Sequence, residues 1–392
     1  MYAVTLLDEG LRCWPVLRVR AAPVFIFPMV MFLAIACGGE GGTAVEDPAK
    51  QQVGLSIDTM QLVTKAHGWA LTSGGLKSSA DGGATWTDIT PPGISAATIK
   101  GVFFWDAEHG WVVAPEQTNQ DLIVFATADG GKTWASGALG VSDVDSRGAP
   151  AYINFADAKN GWIVLKNVSS ANFSIGQLFS TADGGATWNK LSIPIGDPIS
   201  FVTATDGWTA GGPAGDKLYV SRNGGVSWQQ QSVLPPPAFQ SSYPTYQLPG
   251  FTSPQEGVLA VTFTGPSSGT AFYTTNDGGQ SWKMQSSFPS GQPLHLGANV
   301  PFDVTGPSTW VSLNADASRV FVAEDGGKSL KEVAPNGLPQ AIADLDFASS
   351  EIGWALEKAG ECPSGLKFGC ATISTLLKTT DGGQTWTAVA VQ

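Results

Sequence analysis

The stretch "SADGGATW", residues 79–86, decides the fold of this chain because it is written seven times. The other copies are "TADGGKTW" (127–134), "TADGGATW" (181–188), "SRNGGVSW" (221–228), "TNDGGQSW" (275–282), "AEDGGKSL" (323–330) and "TTDGGQTW" (379–386). We call each copy a box. The third positions of successive boxes are 40 to 56 residues apart, a period that is typical of propeller blades and other repeat arrays. The sequence therefore predicts seven structural repeats.

A second marker, Gly-Trp in most copies, precedes each box. It occurs as "HGWAL" (67–71), "HGWVV" (109–113), "NGWIV" (160–164), "DGWTA" (206–210), "EGVLA" (256–260), "STWVS" (308–312) and "IGWAL" (352–356). Short runs of β-branched and aromatic residues surround the markers, and no long stretch has a helical period. Four short strands fill one repeat. The prediction is an all-β chain, a seven-bladed β-propeller of four-stranded antiparallel blades.

The composition of the box predicts a tight hairpin between the third and fourth strands of a blade. The Asp at its third position accepts hydrogen bonds from backbone N–H groups two or three residues later, and the glycines supply positive φ. Asn223 keeps this acceptor without the charge, which argues for scaffolding and against a catalytic or metal role. The residues predicted to be structural in this way are Asp81, Asp129, Asp183, Asn223, Asp277, Asp325 and Asp381.

The tryptophans occupy two slots of the repeat. Six end a box, namely Trp86, Trp134, Trp188, Trp228, Trp282 and Trp386. Six others belong to the second marker, namely Trp69, Trp111, Trp162, Trp208, Trp310 and Trp354. After the N-terminal 36 residues, only Trp105 lies outside both slots. Such regular placement predicts that the indoles pack between neighbouring blades.

The N-terminus reads as an export signal. Arg18 and Arg20 precede the apolar run "AAPVFIFPMVMFLAIA" (21–36), whose 16 residues are fewer than a membrane-spanning helix usually needs. The small residues before Cys37 resemble a bacterial lipobox, so Cys37 is predicted to carry a lipid. A plain signal peptide and an uncleaved anchor remain alternatives. The predicted organisation is a signal peptide (1–36), a lipidated Cys with a flexible tether (37–52) and the propeller (53–392).

Charge and cysteine content exclude several functions. Loss of residues 1–36 leaves 18 basic and 31 acidic residues, and such a surface repels nucleic acid. Cys362 and Cys370 are expected to form a disulfide in an exported chain. Two thiols with no nearby His are too few ligands for a metal, and the sequence predicts no cofactor.

The boxes are similar to the Asp-box, or bacterial neuraminidase repeat, of sialidases, sortilin-type receptors and some glucanases. Together with the Gly-Trp marker, they most resemble the repeats of the photosystem II stability and assembly factor group, over roughly residues 55–392. The resemblance implies that the box turns lie at the outer rim, away from the binding face. Sialidases use three arginines and the assembly factors an arginine-rich patch, but only Arg147, Arg222 and Arg319 follow the signal segment here. This argues against a sialidase.

The face opposite the two marked turns carries loops of variable length, which are where binding residues concentrate. Two of them, residues 232–251 and 286–302, are long, aromatic and rich in proline. The candidate ligand-binding residues are Phe239, Tyr243, Tyr246, Phe288 and His295. The alternative is that these side chains only cover blades four to six. Asp143 and Asp145 on a third loop would suit a glycosidase, or a solvated acidic loop.

The sequence thus predicts a non-catalytic module that binds a protein or a glycan of the cell envelope, with no catalytic residue assigned. The predicted location is outside the cytoplasm, where a lipid anchor holds the protein to a membrane. The alternative function is a glycoside hydrolase of the Asp-box type, in which two carboxylates face each other at the mouth of the propeller.

Overall fold

The computed structural model describes residues 56–116, 121–141, 150–167, 174–290, 301–314, 316–361 and 371–392. In this part of the chain, seven antiparallel sheets follow one another along the sequence. Six sheets have four strands, and the fifth has an inner strand that is split in two. The predicted seven-bladed β-propeller is confirmed. Residues 1–55, with Cys37, lie outside the described residues, as do Cys362 and Cys370.

Each blade takes consecutive strands. Blades 1 and 2 comprise β1 (Ile57–Gln61), β2 (Gly68–Thr72), β3 (Gly75–Ser79), β4 (Thr87–Asp88), β5 (Gly101–Phe104), β6 (Gly110–Pro115), β7 (Leu122–Thr127) and β8 (Ala135–Ala138). Blades 3 and 4 comprise β9 (Ala151–Phe155), β10 (Gly161–Lys166), β11 (Gly176–Thr181), β12 (Asn189–Leu191), β13 (Ile199–Phe201), β14 (Gly207–Gly211), β15 (Lys217–Ser221) and β16 (Gln229–Gln231). Blade 5 comprises β17 (Tyr243–Tyr246), β18 (Gly250–Phe251), β19 (Gly257–Thr264), β20 (Gly269–Thr275) and β21 (Lys283–Pro289). Blades 6 and 7 comprise β22 (Phe302–Gly306), β23 (Thr309–Leu313), β24 (Val320–Ala323), β25 (Leu330–Val333), β26 (Ile342–Phe347), β27 (Gly353–Glu361), β28 (Ala371–Thr379) and β29 (Thr387–Val389). Two short 3-10 turns, Ala96–Thr98 and Pro237–Phe239, precede blades 2 and 5.

The first strands of neighbouring blades meet around the central channel. Asn154 of β9 accepts the backbone N–H of Phe201 in β13 at 2.7 Å. Gln61 of β1 likewise accepts the N–H of Phe104 in β5 at 3.3 Å. The fourth strands are short, and most of their side chains are exposed. The first strand of a blade therefore lies at the axis and the fourth at the perimeter.

The third box shows how eight residues close a hairpin. Asp183 Oδ1 accepts the backbone N–H of Thr187 at 2.9 Å, and Oδ2 accepts its hydroxyl at 2.6 Å. The N–H partner at 2.9 Å is four residues on, and the N–H of Ala186, three residues on as predicted, also acts on the carboxylate. Gly184 and Gly185 both have positive φ, as predicted for this turn. The hydroxyl of Thr181 donates to Asp183 Oδ1 and accepts the N–H of Gly185. The bonds from Thr187, with that from Thr181, lower the pKa of Asp183 to about 2.

The fourth box keeps this geometry with an amide. Asn223 Oδ1 accepts the N–H of Ser227 at 2.9 Å, and Asn223 Nδ2 donates to the Ser227 hydroxyl at 2.8 Å. The direction of the second bond is reversed because a hydroxyl can donate or accept. The box therefore needs a side-chain acceptor at its third position and does not need a negative charge.

We expect Asp277→Ala to lower the melting temperature by a few degrees and Asp277→Asn to lower it by less. The Asp277 carboxylate accepts both the N–H and the hydroxyl of Ser281. The amide can repeat the arrangement of Asn223, whereas alanine leaves the turn without its acceptor. Differential scanning calorimetry of the two variants measures the difference. An equal loss in both variants would mean that the charge, and not the acceptor, matters.

Two turns of every blade lie on the same face. The N–H of the first box glycine donates, at 2.7–2.9 Å, to a carbonyl in the turn between strands one and two of the same blade. The pairs are Gly82 with Ala66, Gly130 with Glu108, Gly184 with Lys159, Gly224 with Thr205, Gly278 with Gln255, Gly326 with Ser308, and Gly382 with Glu351. We call this the box face. The opposite side, the loop face, carries the turns between strands two and three and the connections between blades.

Trp111 shows how an indole joins two blades. Its ring stacks on Phe155 of the next blade, with the centroids 3.4 Å apart and the planes 7° apart. Its indole N–H donates to the carbonyl of Gly184, the first glycine of the next box, at 2.8 Å. Trp162 makes the same two contacts with Phe201 and Gly224. These junctions confirm the predicted packing of indoles between blades.

Trp310 does not occupy the slot that the sequence assigned to it. It lies opposite Ala323, the first residue of its box, whereas Trp111 lies opposite Ala126, the residue before its box. A shift of one strand position turns a side chain to the other face of the sheet. Trp310 therefore points back toward blade 5, where it stacks on Phe272 with the centroids 4.0 Å apart.

The junction between blades 5 and 6 explains this reversal. Val258 replaces the marker Trp of blade 5, and Leu330 replaces the box Trp of blade 6. In the regular pattern, the marker Trp of one blade and the box Trp of the next blade both pack in the junction between those two blades. The ring of Trp310, which is fully buried, supplies aromatic volume in their place.

The ring closes between blades 7 and 1 through side chains. β1 pairs with β2, and blade 7 consists of β26 to β29, so neither blade borrows a strand from the other. Lys378 Nζ donates to the Gly82 carbonyl at 2.8 Å, and Lys358 Nζ donates to the Asp58 carbonyl at 2.6 Å. The segment around Ile57 thus forms the inner strand of blade 1.

Two carboxyl groups take the position of Asn154 in blades 6 and 7. Asp303 accepts the N–H of Phe347 at 2.6 Å, and Asp346 accepts the N–H of Leu62 at 2.9 Å. Burial raises the pKa of Asp303 to about 6. Burial and the charge of Asp303 raise the pKa of Asp346 well above its usual value. The inner strands are therefore linked partly by carboxyl groups that hold protons in mildly acidic solution.

Candidate binding face

Blades 5 and 7 rise above the rest of the loop face. Their second strands, β19 and β27, have 8 and 9 residues, whereas the second strands of the other blades have 5 or 6. All of them begin at the box face, so the extra residues extend the hairpins on the loop side. At about 3.3 Å per residue, two or three extra residues add roughly 7–10 Å. The loop face is thus uneven, and blade 5 presents its edge above the surrounding surface.

Tyr243 lies at the raised end of blade 5. It begins β17 and pairs with Thr264 near the end of β19. Its side chain is 72% exposed, and its ring lies beside Gly265, whose positive φ bends the turn that follows β19. The hydroxyl of Ser242 donates to the Ser267 carbonyl across the same turn. Tyr243 is therefore an accessible aromatic side chain on an ordered strand.

Two of the candidate aromatic residues lie in the core. Phe239 is 1% exposed and stacks on Phe263 with the centroids 5.1 Å apart. Tyr246 is 7% exposed, its backbone N–H donates to the Gly215 carbonyl, and burial raises its pKa. They cover blades 4 and 5, which is the alternative that the sequence left open for them. The reason is that residues 232–251 fold back onto the blades as a 3-10 turn and a split inner strand.

The other two candidate residues are not joined to Tyr243. Phe288 is half-buried near the end of β21 and contacts Phe272 edge to face at 6.1 Å. His295 lies outside the described residues. The structure therefore does not bring the five candidates together as one aromatic platform, and Tyr243 is the well-exposed one among the four described.

Leu234 is a second exposed apolar residue beside blade 5. Its side chain is 88% exposed, and its carbonyl accepts the hydroxyl of the buried Tyr273 at 2.8 Å. Burial raises the pKa of Tyr273 strongly, so this hydroxyl stays protonated and keeps donating. The bond anchors the connection between blades 4 and 5 while the leucine side chain remains in solvent. The sequence analysis missed Leu234, because no local pattern shows which residue of this proline-rich connection points outward.

A buried carboxylate fixes the neighbouring loops. Asp197 lies in the connection between blades 3 and 4 and accepts hydrogen bonds from Lys166 Nζ, the Ser174 hydroxyl and the Gly212 N–H at 2.5–2.8 Å. Burial acts to raise its pKa, but these bonds together lower it. Asp197 thus ties three loop-face segments of blades 3 and 4 to one another. The sequence analysis also missed this residue, because its partners are 15 to 31 residues away.

The described arginines are engaged within the propeller. Arg222 donates to Asp206 and to the Gly278 carbonyl and lies over the ring of Trp208. Arg319 donates to Glu332 at 2.9 Å. Arg147, with Asp143 and Asp145, lies outside the described residues. The described part of the chain therefore presents no arginine-rich patch.

Neither a metal site nor a membrane-spanning helix is present among the described residues. Among them, no three His, Cys, Asp or Glu side chains come together in a way that could hold a metal ion. No helix in that part of the chain is long and apolar enough to cross a membrane.

No protein-family model matches this chain. The photosystem II assembly lipoprotein Ycf48 of Synechococcus sp. (strain CC9902) is 29% identical over 153 residues, which are 36% of this chain and 38% of that protein. The match thus spans well under half the length of this curated relative.

Solved structures show the same fold. YCF48 bound to a D1 peptide has a TM-score of 0.51 at 18% identity and covers 78% of this chain and 91% of its own. YCF48 from Cyanidioschyzon merolae has a TM-score of 0.48 at 16% identity, with coverages of 75% and 86%. A structure from a study of two prolyl endopeptidases also reaches 0.51, at 10% identity, with coverages of 86% and 50%. Since the two structures that reach 0.51 come from proteins of different function, these two similarities establish the fold alone: a Ycf48-like seven-bladed β-propeller.

Proposed function

We propose that this Ycf48-like propeller is a non-catalytic protein-binding module that works in assembly outside the cytoplasm and recognises its partner through the loop face of blade 5. Its partner is an exposed polypeptide segment of another envelope protein. The boxes and most marker indoles are occupied in joining strands and blades, which leaves recognition to the loop face.

The observation that carries the proposal is the presence of two exposed apolar side chains, one at the raised end of blade 5 and one in the connection that precedes this blade. Tyr243 is 72% exposed and Leu234 is 88% exposed, and both are held by backbone that is hydrogen-bonded to the blade. Aromatic and aliphatic side chains on rigid backbone lose little entropy on binding and commonly act as interface anchors. These two apolar side chains favour contact with a protein over coordination of an ion.

The relatives support a polypeptide as the partner. One of the similar solved structures is YCF48 bound to a D1 peptide, and the curated relative is an assembly lipoprotein. This chain has few arginines and a net charge of −12, so a neutral or basic segment suits it better than an acidic one. We therefore propose the same class of partner, a peptide segment, with a different charge preference.

The proposal includes the membrane tether. Residues 1–36 would be removed on export, Cys37 would carry the lipid, and residues 37–52 would link it to a propeller that starts near residue 53. Expression of the Cys37→Ala variant in the parent cells is expected to move the protein from the membrane to the soluble envelope fraction. Mass spectrometry of the N-terminal peptide distinguishes lipidation from plain cleavage.

The test of the binding face is site-specific photocrosslinking in living cells. The photoreactive amino acid p-benzoylphenylalanine replaces Tyr243 on the loop face or, as a matched control, Val226, which is 67% exposed in a box turn. We expect a discrete crosslinked protein from position 243 and none from position 226. The Leu234→Ser variant, with an unchanged melting temperature, is expected to weaken that crosslink.

Other results would contradict the proposal. Equal crosslinking from both positions would remove blade 5 as the binding face. Sugar release from a polysaccharide panel by the purified chain would show that the protein is a glycoside hydrolase and not a binding module. Binding on a glycan array that is lost on Tyr243→Ala would make the ligand a glycan.

A further inference from the structure

The junction between blades 1 and 2 differs from the two junctions in which Trp111 and Trp162 lie. Trp111 and Trp162 stack on a Phe of the next blade with centroids 3.4 and 3.7 Å apart. Trp69 lies 6.2 Å from Phe104 and is tilted by 42°. Its indole N–H donates to Gln61 on the inner strand at 2.9 Å, and not to the carbonyl of a box glycine. The indole of Trp69 is thus turned toward the channel.

This rotation leaves an opening on the box face. Ile89, and not the indole, lies against the second glycine of the next box, Gly131. Between the two blades, a cleft of about 610 Å³ remains, with Trp69, Phe104 and Ile89 among its lining residues. The volume lies within the range of small-ligand pockets and is large enough for a long amino-acid side chain.

The rim of this cleft is mainly negative. Asp106 and Glu108 come from the strand one to two turn of blade 2, Asp129 comes from its box, and Lys132 is the one Lys or Arg among the lining residues. Hydrogen bonds from Thr133 and Thr127 lower the pKa of Asp129 to about 2. Three carboxylates against one ammonium give the rim a net charge of −2 at neutral pH.

An exposed tryptophan precedes the rim residue Asp106 in the chain. Trp105 lies between Phe104 and Asp106 in the chain, is 43% exposed and contacts the ring of His109 at 6.1 Å. His109 in turn bonds Asp106, so the turn is ordered. The only tryptophan outside the repeated slots of the propeller thus lies in the turn that lines this cleft.

We propose that this cleft receives the side chain of an arginine or lysine from a basic segment of a protein partner. The aliphatic part of such a side chain fits the apolar floor, and its charged end meets the carboxylate rim. An aromatic ring beside the cation adds attraction. The site lies on the box face, opposite the loop face, so the propeller has two binding surfaces.

Nuclear magnetic resonance of the mature chain tests this directly, with capped tripeptides as probes. The probes are acetyl-Gly-Arg-Gly-amide and the same peptide with citrulline, which keeps the shape of arginine without its charge. The indole N–H signal of Trp69 is the reporter, assigned with the Trp69→Phe variant. We expect the arginine peptide to shift this signal with a dissociation constant in the millimolar range. The citrulline peptide is expected to bind roughly fivefold or more weakly.

A matched pair of variants supplies the control. Glu108 and Glu351 hold the same place in blades 2 and 7, since the carbonyl of each accepts the N–H of a box glycine. Glu108→Gln is expected to weaken binding of the arginine peptide roughly three- to fivefold, whereas Glu351→Gln leaves it unchanged. Equal affinity for both peptides, an unresponsive Trp69 signal, or equal effects of the two variants would overturn the proposal. Failure of the crosslink from position 243 would contradict the proposed role of the loop face, and it would not contradict the proposal for this cleft.

Discussion

Replacement of Trp111 by alanine is expected to lower the free energy of unfolding by about 4 kcal/mol. The side chain is 1% exposed, stacks on Phe155 and donates its N–H to the Gly184 carbonyl. The variant loses the transfer free energy of a buried indole, opens a cavity and leaves the carbonyl without this donor. Denaturant unfolding followed by far-ultraviolet circular dichroism measures the change.

The matched control is Trp105→Ala, at the only tryptophan of the propeller outside the repeated slots. Its side chain is 43% exposed and contacts His109. We expect this variant to lose less than about 1 kcal/mol, because little buried surface disappears. Similar losses in the two variants would contradict the view that stability resides in the repeated indole slots.

The second large effect concerns the channel. At pH 8, Asp346→Asn is expected to raise the free energy of unfolding by roughly 1–2 kcal/mol. The amide oxygen can keep the bond from the Leu62 N–H, as Asn154 does with Phe201 in blade 3. The charge is removed from a site where burial and Asp303 disfavour it. The channel leaves the Asp346 side chain partly accessible to solvent, so we expect a smaller gain in the free energy of unfolding than a fully buried carboxylate would give.

The dependence on pH separates this effect from simple packing. Because the pKa of Asp346 is raised on folding, the native state holds a proton that the unfolded state has lost, and this contribution to stability falls as pH rises from about 4 through the folded pKa. The wild type and the variant should therefore unfold alike near pH 4 and diverge as the pH rises from there through the folded pKa of Asp346. The box aspartates, whose pKa values are lowered, act in the opposite sense and lose their contribution below about pH 4.

The reverse substitution completes the test. Asn154→Asp places a carboxyl group at the same position in blade 3, where the neighbouring blades carry Phe103 and Ser200 instead of acids. We expect Asn154→Asp to lower the free energy of unfolding at pH 8 by less than Asp346→Asn raises it. The reason is that burial alone, without a second carboxylate, opposes the new charge. A gain from Asp346→Asn that is the same at pH 4 and pH 8 would contradict the assigned cause.

Much of the fold could be predicted because its information is local. The box bonds join residues at most four positions apart, as Asp183 and Thr187 show, so eight letters specify a hairpin wherever they occur. The candidate site could be predicted only as a face. Within it, Tyr243 is exposed and Tyr246 is buried on the same short strand. Residues three positions apart on a strand face opposite sides of the sheet, and the residue types do not show which side is covered.

The sequence by itself determined seven blades, the hairpin at each box and the packing role of the marker indoles, because each depends on contacts within one repeat or between identical neighbours. The tertiary structure alone decided that Trp310 faces blade 5, that Trp69 turns to Gln61 and opens a cleft, and that Asp303 lies near enough to Asp346 of the adjacent blade to raise its pKa. In these cases the side chain responds to what the adjacent blade lacks or presents, and that neighbour lies about one repeat or more away in the sequence.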